Sequence, residues 1–486
     1  MMVGNRSLTA ALMAIAVSAG LCGPALAASL GQPGPAAQQP DQSPAAPPTP
    51  ATPAPPVLPA SPAGPTLTLE QVVAAALTRN PQITSAQEAL TAAQQNITVA
   101  RTGLAPTVSA TGTGSAGTTS GLFTATGVPV SGSGSLGTTG SASLTASWPI
   151  YDSGRTRVAV ESAQAAVASA EAALRQARQD IALQAATAFF GVLKAERLET
   201  VQEQQLTQVQ AQLALSEAQV RAGVAAQSDV IQVQAQVAQA QVNLLSAQSQ
   251  IAAAKAALQN VIGGDATAPV EVAEPAAPPV QVAVTGAQAM QAALGNRPEI
   301  AKAQAAVQSS QASLDQAYVA AGPQVDVAAS GGYTPFSTNA NAVNSTAYGV
   351  TATIQLPLYD AGKGRAGIAA AQATLRSSQA QLQSATLSVQ QDVTQAYLAA
   401  VQAAANLTAT TAARAAADQA LSVADGRYRA GVGTILEVLT ARTTAAQADV
   451  NATSALYDYQ TALATLRHAE GLAILPVTAS APGGTP

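Results

Sequence analysis

The stretch WPIYDSGRTR, residues 148–157, is written again as LPLYDAGKGR at 356–365. Both phrases stand where one sequence texture gives way to another. Upstream of the second, Tyr348, Val350, Ala352, Ile354 and Leu356 alternate with Gly349, Thr351, Thr353 and Gln355. That is the period-2 pattern of a strand with one apolar and one polar face. Ala142, Leu144, Ala146 and Trp148 against Ser143, Thr145 and Ser147 repeat it upstream of the first. Downstream, only Gly191 interrupts the run from Gly154 to Gly223, so a single helix of about 70 residues and about 100 Å is expected. At the hinge, Asp152 and Asp360 precede a small residue and a glycine, the pattern of an N-cap whose carboxylate accepts amide hydrogens of the first turn. Pro149 and Pro357, which supply no ladder donor, are expected to end their strands. Each phrase therefore reads as a strand-to-helix joint: Pro149, Tyr151, Asp152 and Gly154 in one, Pro357, Tyr359, Asp360 and Gly362 in the other.

The joints belong to an internal tandem repeat. Asn80-Pro81-Gln82-Ile83 matches Arg297-Pro298-Glu299-Ile300, and the joints, AFFGVLKA at 188 against AYLAAVQA at 396, and the two RAGV turns at 221 and 429 follow in the same order. The expected division is a first repeat over 66–262, with a β-hairpin at about 107–150 and a helical-hairpin tip at 221–228. A second repeat covers 285–471, with a β-hairpin at about 324–358 and a tip at 428–436. Between them, 263–284 reads as a Pro/Ala/Val-rich linker. Ahead of the first repeat, PAAPPTPATPAPPVLPASPAGP within 28–65 cannot build a core and reads as an extended tether, and 472–486 reads as a disordered tail. Residues 1–27 carry Arg6, an apolar run from Leu8 to Leu21 and Ala25-Leu26-Ala27, the form of a secretory signal too short to span a bilayer. Cys22, the single cysteine, lies inside it; a lipidated cysteine would follow a small residue, and Leu21 is not one.

Composition narrows the function classes. Charged residues make up 10% of the chain and the net charge is −5, a poor match for phosphate neutralisation by Lys and Arg, so no nucleic-acid partner is expected. Without a cysteine beyond position 22 there is no thiol nucleophile and no Cys-ligated metal site. His468, the one histidine, stands at the end of the last helix, where a cation complements the dipole. Asp152 and Asp360 occupy equivalent places in repeated modules rather than converging as an acid/base pair requires. The glycines of Ser131–Gly140 lack the strand and lysine of a phosphate loop and read as flexible loop. No enzyme activity, cofactor or metal is expected.

The helices carry a regular seam. Val230, Val233, Val237, Ala240, Leu244, Ala247, Ile251, Ala254 and Leu258 alternate in steps of three and four, and Val438 to Leu466 keep the same spacing. Heptads of this kind mean supercoiled pairs, antiparallel across the short turns. The hairpin strands, read as roughly 9 to 11 residues, match either a soluble hairpin or tilted strands crossing a bilayer. If they cross, four strands per chain are too few to close a barrel, and an open edge in lipid is prohibited. Three chains would supply twelve.

In this order of motifs the chain resembles the TolC family of outer-membrane efflux ducts. The resemblance rests on the tandem repeat, N-P-x-I, the P-hydrophobic-Y-D-x-G joints, both RAGV turns and GRYRAGVGTILEVLTA at 426–441. It implies a mixed α+β membrane protein: a homotrimer with a twelve-stranded β-barrel in the outer membrane of a Gram-negative bacterium, continuous with a long antiparallel α-helical coiled-coil tunnel through the periplasm. It implies a passive exit duct for tripartite efflux or type I secretion, fed by a periplasmic adaptor and an inner-membrane pump or ABC exporter. Arg221, Ala222, Gly223 and Val224, with Arg429, Ala430, Gly431 and Val432, would be the adaptor-docking tips. Asp229, Tyr428, Glu437 and Thr440 would form the periplasmic gate. Family members with a defined lock carry an arginine at the place of Gly433 and carboxylates at the places of Glu437 and Thr440. Here only Glu437 remains, with Arg427 or Arg429 as candidate substitutes and a Tyr428–Asp229 hydrogen bond open to the tips. Glu437 would then ring the closed tip with carboxylates. Trp148, Tyr151 and Tyr359 suit either an interfacial aromatic girdle or ordinary packing. The contrasting reading is a periplasmic coiled-coil scaffold or adaptor without a pore.

Overall fold

A computed structural model describes residues 66–119, 122–123, 129–130, 135–223, 226–274, 284–338 and 342–474. The expected signal, tether, Val224 and all of the tail beyond Ile474 lie outside these residues.

The element order runs β1 (Thr66–Leu67), α1 (Leu69–Arg79), α2 (Pro81–Arg101), β2 (Thr107–Thr119), β3 (Leu122–Phe123), β4 (Pro129–Val130), β5 (Ser135–Tyr151), α3 (Arg155–Arg221) and α4 (Gln227–Ile262). It continues with β6 (Glu271–Val272), α5 (Gly286–Asn296), α6 (Pro298–Val319), β7 (Gln324–Thr338), β8 (Ala342–Gln355), α7 (Lys363–Arg429) and α8 (Ile435–Ala469). The N-P-x-I motif has a local cause. Asn80 closes α1 and caps α2, its Oδ1 accepting the Gln82 amide at 2.9 Å, with Pro81 at the first helical position, where a missing N–H costs nothing. In the second copy Arg297 makes no such cap; its buried guanidinium instead pairs with Glu299 at 3.0 Å and Asp392 at 3.3 Å.

The long helices form two antiparallel pairs, α3 with α4 and α7 with α8, and α3 also packs on α2, α6 and α8. The main core lies midway along α3 and at the C-terminal end of α4, where the short helix α1 packs: Phe189, Phe190, Ile181, Val192 and Leu258 close on Val72 and Ala76. Phe189 and Phe190 meet edge to face at 5.6 Å between ring centres. A smaller cluster repeats this in the second half, with Val389, Val393 and Ala400 against Ala289 and Ala293.

Three expectations are corrected here. The stretch 263–284, read as a linker, contains β6, which pairs in parallel with β1. Val270 is buried in the main core and Val272 packs against it, so apolar side chains dock a segment whose prolines and alanines suggested a tether. Ile474, in the expected tail, is likewise in that core. Second, the strands have 13, 17, 15 and 14 residues, longer than 9 to 11. The loop expected at 131–140 is paired backbone from Ser135 on, opposite Thr119 and its predecessors in β2, because a ladder needs only amides and carbonyls. Third, Pro149 does not end its strand. It pairs with Asp326, and the register then shifts so that Tyr151 faces Val325, leaving Ile150 as the extra residue. A bulge accommodates a residue without a donor. Pro357 does lie beyond the end of β8 at Gln355.

The four long strands make one antiparallel sheet in the order β2-β5-β7-β8. Its registers sort the side chains by face. Val108 lies opposite Ala146, Ala146 opposite Ala329 and Ala329 opposite Val350. On this face stand also Leu144, Trp148, Val327, Tyr333, Tyr348 and Ile354, and the opposite face carries Thr107, Ser109, Thr111, Ser143, Thr145, Ser330 and Thr351. Neither face has a core against it: Val108, Leu144, Tyr348, Val350 and Ile354 are all exposed. Among the described residues the outer sides of β2 and β8 pair with no other strand.

Candidate functional site

Two places gather the residues singled out by the sequence, the sheet-to-helix joints and the helical tips. At the first joint the chain turns through Ser153 (φ 57°) and Gly154 (φ 88°), a left-handed pair that aims successive amides back at one carboxylate. Asp152 Oδ1 accepts the Gly154 amide at 2.9 Å, and Oδ2 accepts the Thr156 amide at 2.6 Å. Burial pulls the Asp152 carboxyl upward, but the Thr156 hydroxyl and the two amides outweigh it and hold it below its ordinary value. Asp360 does the same for Gly362 at 2.9 Å and Gly364 at 2.7 Å, across Ala361 (φ 53°) and Gly362 (φ 88°). The Gly364 and Gly362 amides lower its carboxyl too. Both aspartates accept the first amides of their helices, a structural use. Trp148 donates its indole N–H to the Leu104 carbonyl at 3.1 Å, while Tyr151 and Tyr359 are exposed.

At the tips each long helix ends on a left-handed glycine, Gly223 and Gly431, both at φ 75°. The Gly431 amide donates to the Tyr428 carbonyl and the Val432 amide to the Arg427 carbonyl, both at 3.0 Å, the reciprocal pair of a Schellman stop. This is why RAGV occurs at each turn: the glycine takes the conformation a Cβ opposes. Ala222 and Ala430 cap the helices, Arg221 Nε donates to the Glu217 carbonyl, and Val432 is exposed.

The four gate candidates are not brought together. Tyr428 donates its hydroxyl to Gln219 Oε1 at 2.5 Å, so within the chain it is committed to α3 rather than to Asp229. Asp229 accepts from the Ser228 hydroxyl at 3.3 Å. Thr440 turns back on its own helix to the Leu436 carbonyl. Glu437 places its amide on the Thr434 hydroxyl at 3.3 Å, capping α8, and its carboxylate 3.4 Å from Arg427 Nη1. Arg427 thus takes the carboxylate, and Arg429 pairs with Asp425 at 2.7 Å. The missing arginine at 433 has a steric counterpart: a Cβ on Gly433 would stand 3.1 Å from Arg427 Cβ and from the Tyr428 nitrogen, tighter than ordinary contact.

Sequence reasoning missed the residues that tie the two helical pairs together here. Arg442 Nη1 donates to the Gln208 carbonyl at 2.8 Å and Nη2 lies 4.0 Å from Asp425. On α3, Val209, Gln212, Ser216 and Gln219 follow the three-four seam, but the last three are polar, and Gln212 and Ser216 are buried with Nε2 and Oγ unpartnered. That polar break in an apolar seam was the available signal. His468 sits 2.8 Å from Asp180. Among the described residues no three His, Cys, Asp or Glu side chains are placed to hold a metal, and no helix is long and apolar enough to cross a membrane.

The sequence profile described as "outer membrane efflux protein" matches residues 72–264 and 289–472, covering both halves of the fold just described. The chain belongs to that family. Protein CyaE of Bordetella pertussis is 29% identical over 311 residues, which is 62% of this chain and 64% of CyaE, just under two thirds of that relative's length. The solved outer membrane protein VceC of Vibrio cholerae superposes with a TM-score of 0.67 at 22% identity, covering 84% of this chain and 97% of VceC. The outer membrane channel CmeC of Campylobacter jejuni gives 0.69 at 16% identity, covering 83% and 85%. These likenesses show the fold, predominantly helical with one four-stranded sheet.

Proposed function

We propose that this efflux-family chain is a passive exit duct, a homotrimer whose three sheets close a twelve-stranded barrel in the outer membrane above a helical tunnel in the periplasm. The observation that carries this is the sheet: one apolar face and one hydroxyl-rich face, both exposed, between two unpaired edges. In water such a sheet leaves large apolar side chains uncovered. In a closed barrel the apolar face meets lipid, the hydroxyl face lines a wet lumen, and no edge remains. The helices point the same way. α7 exposes Leu387, Leu398, Val401 and Val423 on one flank of the chain, and α4 exposes Ile231, Val242 and Leu245 on the other, as edge-to-edge association of copies requires.

The tips would gate the tunnel and receive a periplasmic adaptor, with an inner-membrane pump or ABC exporter supplying the energy, in tripartite efflux or type I secretion. Residues 1–27 would be removed on export, 28–65 would tether the first repeat, and the repeat boundaries near 262 and 285 would divide each protomer into two modules. The membership of the family and the fold shared with the outer membrane protein VceC and the outer membrane channel CmeC support this reading. Reconstitution into planar bilayers tests it: discrete conductance steps from a trimeric preparation are expected. A preparation that stays monomeric and never conducts would refute it and return the scaffold reading.

A further inference from the structure

The two joints have the same sequence pattern and the same internal hydrogen bonds, yet very different surroundings. The first is docked. Ser153 Oγ donates to the Pro323 carbonyl at 2.6 Å, and Arg155 Nη2 donates to the Ala320 carbonyl. Gly322 fits so closely that a Cβ there would collide with the Ser153 side chain. Joint one thus rests on the helix-to-strand corner of the other half, Ala320 to Pro323. The second joint rests on nothing: every residue from Leu356 to Lys363 is exposed, Leu358 and Tyr359 at 89%.

The corner equivalent to 320–323 exists in the first half. Gly103-Leu104-Ala105-Pro106 aligns with Ala320-Ala321-Gly322-Pro323, and the turn is the same, with the Ala105 amide on the Thr102 carbonyl as the Gly322 amide is on the Val319 carbonyl. Gly103, Leu104 and Pro106 are exposed. Within the chain this corner meets only its own half, the Leu104 carbonyl taking the Trp148 indole and Gly103 lying against Thr156. One corner without a joint from the other half and one undocked joint therefore remain in each chain, beside the unpaired edges β2 and β8.

We infer that the exposed joint at Tyr359–Lys363 docks on the Gly103–Pro106 corner of a neighbouring copy, reproducing between chains the contact that joint one makes within the chain. This rests on the self-association reading above and specifies where copies lock. Lys363 takes the place of Arg155 and donates to the Gly103 carbonyl of the neighbour. Ala361 takes the place of Ser153 and meets Ala105 where the chain itself has Gly322. A hydroxyl seated over a bare Cα is thus replaced by two facing methyls, so at this pair of positions the contact is wider and apolar. Methyl carbons in contact stand near the separation of about 3.5–4.5 Å that a disulfide needs between Cβ atoms.

Cysteine pairing reads this directly. Under oxidation, the Ala105→Cys/Ala361→Cys double variant should run as covalent dimer and trimer on a non-reducing gel, and each single variant should not. Light scattering in detergent is taken alongside. A trimeric double variant without covalent bands overturns the joint contact while leaving self-association intact; a monomeric wild-type chain overturns both. Where the double variant does not assemble, the wild-type chain serves. Lys363, freely acylated in the dissociated chain, should lose at least tenfold in labelling on assembly, measured by mass spectrometry, and unchanged labelling overturns the contact.

Discussion

α3 and α7 are built to the same plan and used differently. Each has 67 residues, starts from an Asp-x-Gly joint and stops on a left-handed glycine. Yet sixteen residues of α3 are buried against seven of α7. Local sequence does not account for this, since both helices are rich in alanine and glutamine. Neighbours do. α3 packs against α1, α2, α4, α6 and α8, whereas α7 packs mainly against α5, α6 and α8 and reaches α3 through the Tyr428–Gln219 bond. The clearest single position is the phrase AFFGVLKA against AYLAAVQA: Phe190 is 5% exposed and its counterpart Leu398 is 59% exposed. A duplicated module keeps its register and loses its symmetry when one copy is interior and the other at the rim.

The largest effect should come from breaking that pair of positions. Phe190→Ala opens a cavity beside Phe189 and is expected to cost about 3–5 kcal/mol in a denaturant titration. Leu398→Ala should leave the dissociated chain within about 0.5 kcal/mol of wild type, while lowering the heat resistance of the assembled form on gels. Equal losses at the two sites in the dissociated chain would mean that α7 is not a rim helix.

Much of this was legible because the relevant physics is local. The period-2 runs, the breaker-free spans and the Asp-x-Gly and RAGV punctuation each act within a few residues, so helix lengths could be read directly. The aspartates do accept first-turn amides, but from two residues ahead of the cap position, which Gly154 and Gly362 occupy. What could not be read lay in long-range company. Val270 and Val272 looked like linker until the core they enter was seen. Pro149 looked like a strand end, but Asp326 and Val325 on the neighbouring strand absorb it as a bulge. At the tips, Tyr428 was expected on Asp229 and takes Gln219 within the chain, and of the two candidate arginines Arg427 rather than Arg429 meets Glu437, since partner choice depends on how the helices are rotated about their axes.

The tips allow the next comparison, between a neutral link and a charged one. Tyr428→Phe removes the hydroxyl that α7 sends to Gln219, a contribution of about 1 kcal/mol, and so should raise the open population of the closed duct about fivefold in bilayer recordings. Arg427→Gln acts on charge instead. In a trimer it would leave three Glu437 carboxylates unpaired at the constriction, which favours cations; Glu437→Gln should shift selectivity the other way. If neither change alters the reversal potential under a salt gradient, the Arg427–Glu437 pairs do not line the pore.

The smallest effect, and the finest comparison, is between the two aspartates of the joints. Both carboxyls are held below their ordinary value of 3.8. For Asp152 burial is the largest single influence and pulls upward, but the Thr156 hydroxyl and the amides together outweigh it. For Asp360 the Gly364 and Gly362 amides lead and burial is only a minor influence. A carboxyl depressed in the folded chain binds protons less readily than in the unfolded one. Its contribution is therefore complete above about pH 4 and drains away as pH falls through the folded value. Asp152→Asn keeps one acceptor oxygen and loses the other, which should cost about 1–2 kcal/mol at neutral pH, in the range of a lost helix cap, and should flatten the acid limb of stability against pH. Asp360→Asn should do less in the dissociated chain, because solvent replaces what is lost at an exposed site. Transport should survive both substitutions in proportion to the trimer that remains. If Asp152→Asn abolishes export while trimer yield stays normal, the carboxylate has a use beyond starting α3, and the equivalence of the two joints ends there.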